Sequence, residues 1–207
     1  RKRAIEELEF FFFFFLADVH DVDLDGEDVP KSEEESKKIP PVEFIAEEFL
    51  PNVWLHLSVD SGNGQIQWLT KADIEDWGIP EKELFKIAIE NLSSRHVAKV
   101  ELHKMTSDDG EVFTCLCEGA TLSSLLLADK LWVEYNIAKK GIVATIPDRD
   151  TFYFCRDNSV ASLDLLRFVC DTVWNDPETI KKYRITKHLL AADETSPFGW
   201  SPFRQSS

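Results

Sequence analysis

From Asn52 onward the chain runs three times through one order of signals: an alternating apolar segment, a turn, a second apolar segment and a helical stretch. In the first unit Val53 to Val59 alternates, Asp60-Ser61-Gly62-Asn63-Gly64 is turn chemistry, and Gln65 to Thr70 returns. A short helix over Lys71 to Trp77 is stopped by Gly78, and Pro80 leads a longer one over Glu81 to Arg95 with Leu84, Ile87, Ala88 and Leu92 on one face. The second unit pairs Val97 to Met105 with Val112 to Cys117 across Ser107-Asp108-Asp109-Gly110, then predicts a helix from Thr121 to about Tyr135. The third pairs Gly141 to Ile146 with Thr151 to Cys155 across Pro147-Asp148-Arg149-Asp150. Its helix covers Val160 to Trp174, with Leu163, Leu166, Phe168, Val169, Val173 and Trp174 available for packing. Three successive hairpin-plus-helix units predict an α+β fold, a mostly antiparallel sheet of about six strands with the helices on one face. The three units share no residue-level identity, so the repeat is architectural.

The chain on either side of these units has a different composition. Residues 1–49 carry six basic and fifteen acidic side chains of a total net charge of −15. Residues 21–41 are dominated by charged residues, Ser, Gly and Pro, and read as an acidic linker that cannot offset its ordering entropy with apolar burial. Before it, residues 1–20 hold Arg1-Lys2-Arg3 and six consecutive phenylalanines, Phe10 to Phe15. Those Phe residues with Leu16 and Ala17 are too few to span a bilayer, and the segment is read as a short helix, Ala4 to Ala17, with a surface to bury. Its cover is the chain's own domain, a protein partner or a peripheral membrane contact. The α+β domain is placed at 42–190 and a Ser-Pro-Phe tail at 191–207, where Phe198, Trp200 and Phe203 ask for a groove, on a partner or on the domain itself. The missing initiator Met is compatible with processing or truncation.

Composition excludes some functions. With 43% hydrophobic and 12% aromatic residues the chain is not a disordered one. Its acidity argues against nucleic acid, which needs a basic face. Four cysteines, with Cys115 and Cys117 two apart on a strand, make neither a disulfide framework nor a CxxC redox pair, and no zinc spacing accompanies them. Buried reduced thiols in a soluble intracellular protein are the expectation, an organelle interior included. Asp21-Val22-Asp23-Leu24-Asp25-Gly26 opens like a calcium loop, but Ser32 stands at the twelfth position and Pro30 restricts the exit, so solvated linker is preferred. The histidines His20, His56, His96, His103 and His188 are scattered, and no metal, cofactor or catalytic set is expected. Asp148, Arg149 and Asp150 form the sharpest motif. They are either an anion or partner contact, with Arg149 as a forked donor, or a hairpin turn in which Asp148 bonds backbone N–H groups and acidic neighbours hold Arg149.

The run Ile66-Gln67-Trp68-Leu69-Thr70-Lys71-Ala72-Asp73-Ile74-Glu75-Asp76-Trp77-Gly78, followed by Glu83-Leu84 and Ile87-Ala88-Ile89-Glu90-Asn91-Leu92, resembles the bacterial domain of unknown function family 1444. Val143-Ala144-Thr145-Ile146-Pro147-Asp148-Arg149-Asp150 looks like its closing signature, and Ser123 to Leu131 is similar to the helix before it. The resemblance covers residues of about 42–176. It implies a soluble domain without a recognised catalytic set, and the Phe-rich start, acidic linker and tail depart from the family pattern. Together these readings predict a non-catalytic accessory or assembly subunit that docks into a multiprotein complex. Its anchors would be Phe10, Phe11, Phe12, Phe13, Phe14, Phe15, Phe198, Trp200 and Phe203. The rival expectation is an enzyme or small-ligand protein with its site at Asp148, Arg149 and Asp150.

Overall fold

The structure, a computed structural model, describes residues 8–14, 43–60, 66–107, 110–177 and 184–204. Arg1-Lys2-Arg3, Phe15, His20, the calcium-like run and the acidic linker lie outside the described residues. The fold is α+β, built on two antiparallel sheets.

The first sheet joins β1 (Leu8–Phe14), β2 (Ala46–Leu50), β3 (Val53–Asp60) and β4 (Ile66–Trp68). β3 is its centre. β1 lines one edge in unbroken register, from Leu8 opposite Val59 to Phe14 opposite Val53. β2 and β4 share the other edge, β2 along Val53 to His56 and β4 along Ser58 to Asp60. Where they meet, three backbones close a ring: Ile45 N–H donates to Leu69 O at 2.8 Å, Leu69 N–H to Leu57 O at 3.0 Å, and Leu57 N–H to Ile45 O at 3.1 Å. All three side chains are buried, so the ladder continues without orphaned groups where the neighbouring strand changes.

The strand at Leu8–Phe14 corrects the helix expected over Ala4 to Ala17. An uninterrupted Phe run has no periodicity to decide between the two, and aromatic residues favour the pleated strand over the helix. A full edge of β3 supplies the ladder.

After β4 come α1 (Lys71–Ile74), a 3₁₀ turn at Glu75–Trp77 and α2 (Glu81–His96). Thr70 and Asp73 make a reciprocal cap: Asp73 N–H donates to Thr70 Oγ1 at 3.2 Å and Thr70 N–H to Asp73 Oδ2 at 2.9 Å. Gly78, at φ +63°, takes the left-handed conformation that ends the segment. The Thr70, Asp73 and Gly78 of the family-like motif are therefore the start and stop chemistry of one short helical segment. α2 buries Leu84, Phe85, Ala88 and Leu92.

The second sheet has the order β10-β9-β7-β8-β6-β5, with β5 (Glu101–Thr106), β6 (Glu111–Leu116), β7 (Val143–Thr145), β8 (Tyr153–Cys155), β9 (Leu190–Ala192) and β10 (Trp200–Pro202). Between β6 and β7 the single helix expected over 121–135 is two pieces, a 3₁₀ segment Leu122–Leu127 and α3 (Asp129–Glu134). Ala128, at ψ 90°, breaks them while Leu125 to Ala128 stay fully inside. After β8 runs α4 (Val160–Asn175), capped by Ser159, whose Oγ accepts from Ser162 N–H.

Two features differ from a single sheet with helices on one face. The first hairpin lies in a separate sheet, and the helices cover both faces of the six-stranded one. Along β6, β7 and β8 alternate side chains divide. Val112, Val143 and Cys155 pack with Leu163 and Leu166 of α4, whereas Phe113, Ala144 and Phe154 join the core shared with α2, α3 and the first sheet. Strands as short and as apolar as Val143–Thr145, buried at every position, need cover on both sides.

Candidate functional site

The tail aromatics are parts of the fold. Trp200 is 1% exposed, its Nε1–H donates to Leu126 O at 3.0 Å, and its ring lies 5.9 Å from that of Trp132. Phe198 is half-buried, 5.9 Å from Phe49 and 6.4 Å from Phe85. Phe203 is half-buried in the α4-side core, with its N–H on Leu189 O at 2.8 Å. Of the groove alternatives for this tail, the described residues provide the one on its own domain. Sequence boundaries at 190/191 therefore cut through the β9–β10 pair. At the other end, Phe10 to Phe14 belong to β1 and pair through their backbones with β3.

The Pro147–Asp150 turn is held by two segments, one at Arg184 and Ile185 and one at Ser123. Pro147 O accepts from Ile185 N–H at 2.9 Å, Arg149 O from Ser123 N–H at 3.1 Å, and Asp148 pairs with Arg184 as an antiparallel bridge. Asp148 is 2% exposed, and its Oδ1 accepts from Asp150 N–H at 2.8 Å, the self-closing bond of an Asx turn. Arg149 forks onto Asp150, Nε to Oδ1 and Nη2 to Oδ2, both at 3.0 Å. Burial, against the pull of Thr151 and the Asp150 backbone, raises the Asp148 carboxyl above its ordinary range. Thr151 stands near enough to lower it, yet neither Asp148 Oδ2 nor Thr151 Oγ1 completes a hydrogen bond among the described residues. The turn brings Asp148, Arg149 and Asp150 together as expected, but the guanidinium and Asp150 satisfy one another.

The thiols of Cys115, Cys155 and Cys170 are buried and that of Cys117 is half-buried, with no disulfide among them. Burial pushes Cys115 up to about 12 and Cys155 up to about 11, far from the thiolate that nucleophilic or metal chemistry uses. His56 is buried against Phe44 and Trp68, at 6.2 and 5.8 Å between ring centroids, and burial lowers its pKa. Among the described residues no group of three or more His, Cys, Asp or Glu is placed to hold a metal ion. A hollow of about 290 Å³ beside Lys139 and Lys140 is also lined by Asp193 and Glu194, so its rim favours neither sign of ligand.

The feature that sequence reading missed is on α4. Phe168, expected to pack, is 67% exposed, and Val160 at the start of the helix is 66% exposed. The inner face of α4 uses Ser162, Leu163, Leu166 and Cys170. A helix turns about 100° per residue, so Phe168 lies nearly opposite Leu166. That spacing was the available signal. It was masked because the helix carries apolar residues on both sides. Ala161 and Leu165, half-buried, continue from Phe168 at intervals of four and three residues. Exposed Asp164 and Asp171 border the strip.

The molecule is thus an α+β domain with exposed large apolar side chains among the described residues at Val133 of α3 and at Val160 and Phe168 of α4. No family model, no curated protein and no solved structure matches the chain. Among the described residues no helix is long and apolar enough to cross a membrane.

Proposed function

We propose that the chain is a non-catalytic accessory or assembly subunit that docks into a larger multiprotein complex. The observation that carries this reading is Phe168, a large apolar side chain two-thirds exposed at the centre of the outer face of α4. A large apolar side chain this exposed, with half-buried apolar residues beside it, supports reading this face as a contact. The docking anchor accordingly moves from Trp200, which serves the core, to α4. A net charge of −15 favours basic partners and disfavours nucleic acid. The resemblance to family 1444 stands beside this reading as a proposal, and a member's structure with the strand order β10-β9-β7-β8-β6-β5 would support it.

The test is the size of the native particle from its source, by gentle fractionation and peptide identification, for wild type and Phe168→Glu. Co-fractionation with a large complex that is lost in the variant supports docking through α4. Wild type running alone sinks it.

A second reading, an enzyme or small-ligand protein at the turn, is favoured by the buried Asp148 Oδ2 and Thr151 Oγ1, which lack partners among the described residues. It predicts that Arg149→Ala abolishes ligand binding with little loss of stability. A large stability loss would mark Arg149 as part of the turn's scaffold instead.

A further inference from the structure

We propose that the outer face of α4 receives a basic amphipathic helix of a partner protein. This rests on the docking reading above and adds the chemistry of what docks.

α4 has sixteen residues, about 24 Å of helix, and presents two apolar sides. One, through Leu163, Leu166 and Cys170, is closed by the six-stranded sheet. The other is led by exposed Phe168; Leu165, three residues before it, is half-buried with part of its surface on the α4-side core, and Ala161 and Thr172 continue the i, i+4, i+7 spacing of a helix–helix seam toward the two ends. Phe168 stands proud while Ala161 and Leu165 are half-buried beside it, so the strip has a ridge and an adjoining shallow row. A second helix packs against relief of this kind by setting its own ridge into the row. An extended strand would instead need open backbone groups, and those of α4 are satisfied within the helix.

Charge selects the partner's sign. Asp164 and Asp171, seven residues apart and both exposed, form a rail along one flank of Phe168, and exposed Asp157 and Asp176 stand beyond the two ends. Arg156 and Arg167 of the same stretch, with Lys187 alongside it, stand against these four carboxylates, three cations to four anions. Arg167 sits 2.9 Å from Asp164 and Lys187 3.3 Å from Asp171. Exposed pairs of this kind contribute little and exchange readily, so a partner's Lys or Arg can take over either carboxylate. The chain's overall charge steers basic segments in and repels acidic ones, including anionic bilayers.

The test uses the full chain and a labelled synthetic Leu/Lys amphipathic helix of about five turns. Its comparators are a Leu/Glu helix of the same pattern, a scrambled Leu/Lys peptide and phosphatidylcholine vesicles. Anisotropy should show the Leu/Lys helix binding at least about tenfold tighter than either comparator peptide. Phe168→Glu should remove about tenfold of that affinity at unchanged melting temperature, and Asp164→Asn with Asp171→Asn should weaken it severalfold without touching the apolar strip. Equal binding of the Leu/Glu or scrambled peptide overturns the proposal, as does indifference to both variants or displacement by the vesicles. If the Leu/Lys helix fails while Phe168→Glu still abolishes native co-fractionation, the partner chemistry is wrong and docking through α4 survives. If neither effect is seen, both fall.

Discussion

Lys139 Nζ lies 2.7 Å from the point where a Cβ on Gly199 would stand. The same ammonium bonds Asp129 Oδ1 at 2.7 Å and sits 5.4 Å from the centroid of the Trp200 ring. Gly199 is also at φ +76°, a conformation side chains other than glycine adopt at a cost. One glycine thus lets the tail turn and lets a cation close over the Trp that the turn delivers. Gly199→Ala should cost about 1–2 kcal/mol in urea unfolding, from backbone strain and from pushing Lys139 aside. Wild-type stability in that variant would mean the tail is not seated as described.

Gly110 is the second position where a missing side chain decides the packing. A Cβ there would stand 2.6 Å from Ala161 O and 2.9 Å from Ser162 N, both backbone atoms of the first turn of α4. Glu111 N–H donates to Ser162 Oγ at 3.1 Å across the same contact. Neither backbone can yield cheaply, so Gly110→Ala should cost more than Gly199→Ala, on the order of 3 kcal/mol as severe overpacking does. The urea midpoint of the two variants side by side checks the order.

Acid should weaken the first sheet through His56. Burial lowers its pKa in the fold, so as pH falls through about 6.5 the unfolded chain takes up a proton that the native one refuses. Stability is therefore full above that pH and declines from there toward the lowered native value. His56→Gln should flatten the urea midpoint between about pH 7 and pH 5. An unchanged slope would place the titration elsewhere.

Asp148 runs with the opposite sign. Its carboxyl is raised by burial, so the native state holds a proton more firmly than the unfolded one. That contribution is present at low pH and lost as pH rises through the raised value. Asp148→Asn keeps an acceptor for Asp150 N–H and removes the buried charge. The variant should be the more stable chain at neutral pH, with the difference vanishing in acid. Loss of stability at neutral pH would mean that the ionised carboxylate has a counter-charge the described contacts do not include.

Thiol reactivity should follow burial. Cys117, half-buried with its Sγ 3.6 Å from His96 O, should be alkylated first in the native protein at mildly alkaline pH. Cys115 and Cys155, pushed up to about 12 and about 11, should react only after denaturation. Mass mapping of the labelled peptides distinguishes the order.

Local chemistry was legible in the sequence. The strand at Val53 to Val59, the short helix from Lys71, the stop at Gly78 and the helix over Val160 to Trp174 each depend on residues within a turn or two of one another, and each reappears in the structure within a few residues. The Asx turn at Asp148 is of the same kind. The helix expected for the Phe run failed because a run without period carries no such local instruction; an open edge of β3, paired with it from Leu8 opposite Val59 to Phe14 opposite Val53, made it a strand.

What tertiary structure alone decided is which surfaces are covered. Trp200 and Phe168 are both large aromatics among mixed neighbours. One is enclosed because β10 reaches β9 and delivers its ring to Leu126 and Trp132, and the other is left outside because α4 has a single sheet to lie on. The same holds for the division into two sheets, where Ile45, Leu57 and Leu69 meet through backbone bonds that no pairing of adjacent segments implies. Sequence determined those elements whose signals are short-range. Burial, register and the exposed strip on α4 come from contacts between distant segments, whose free energy is settled only when the whole chain competes for the same apolar surface.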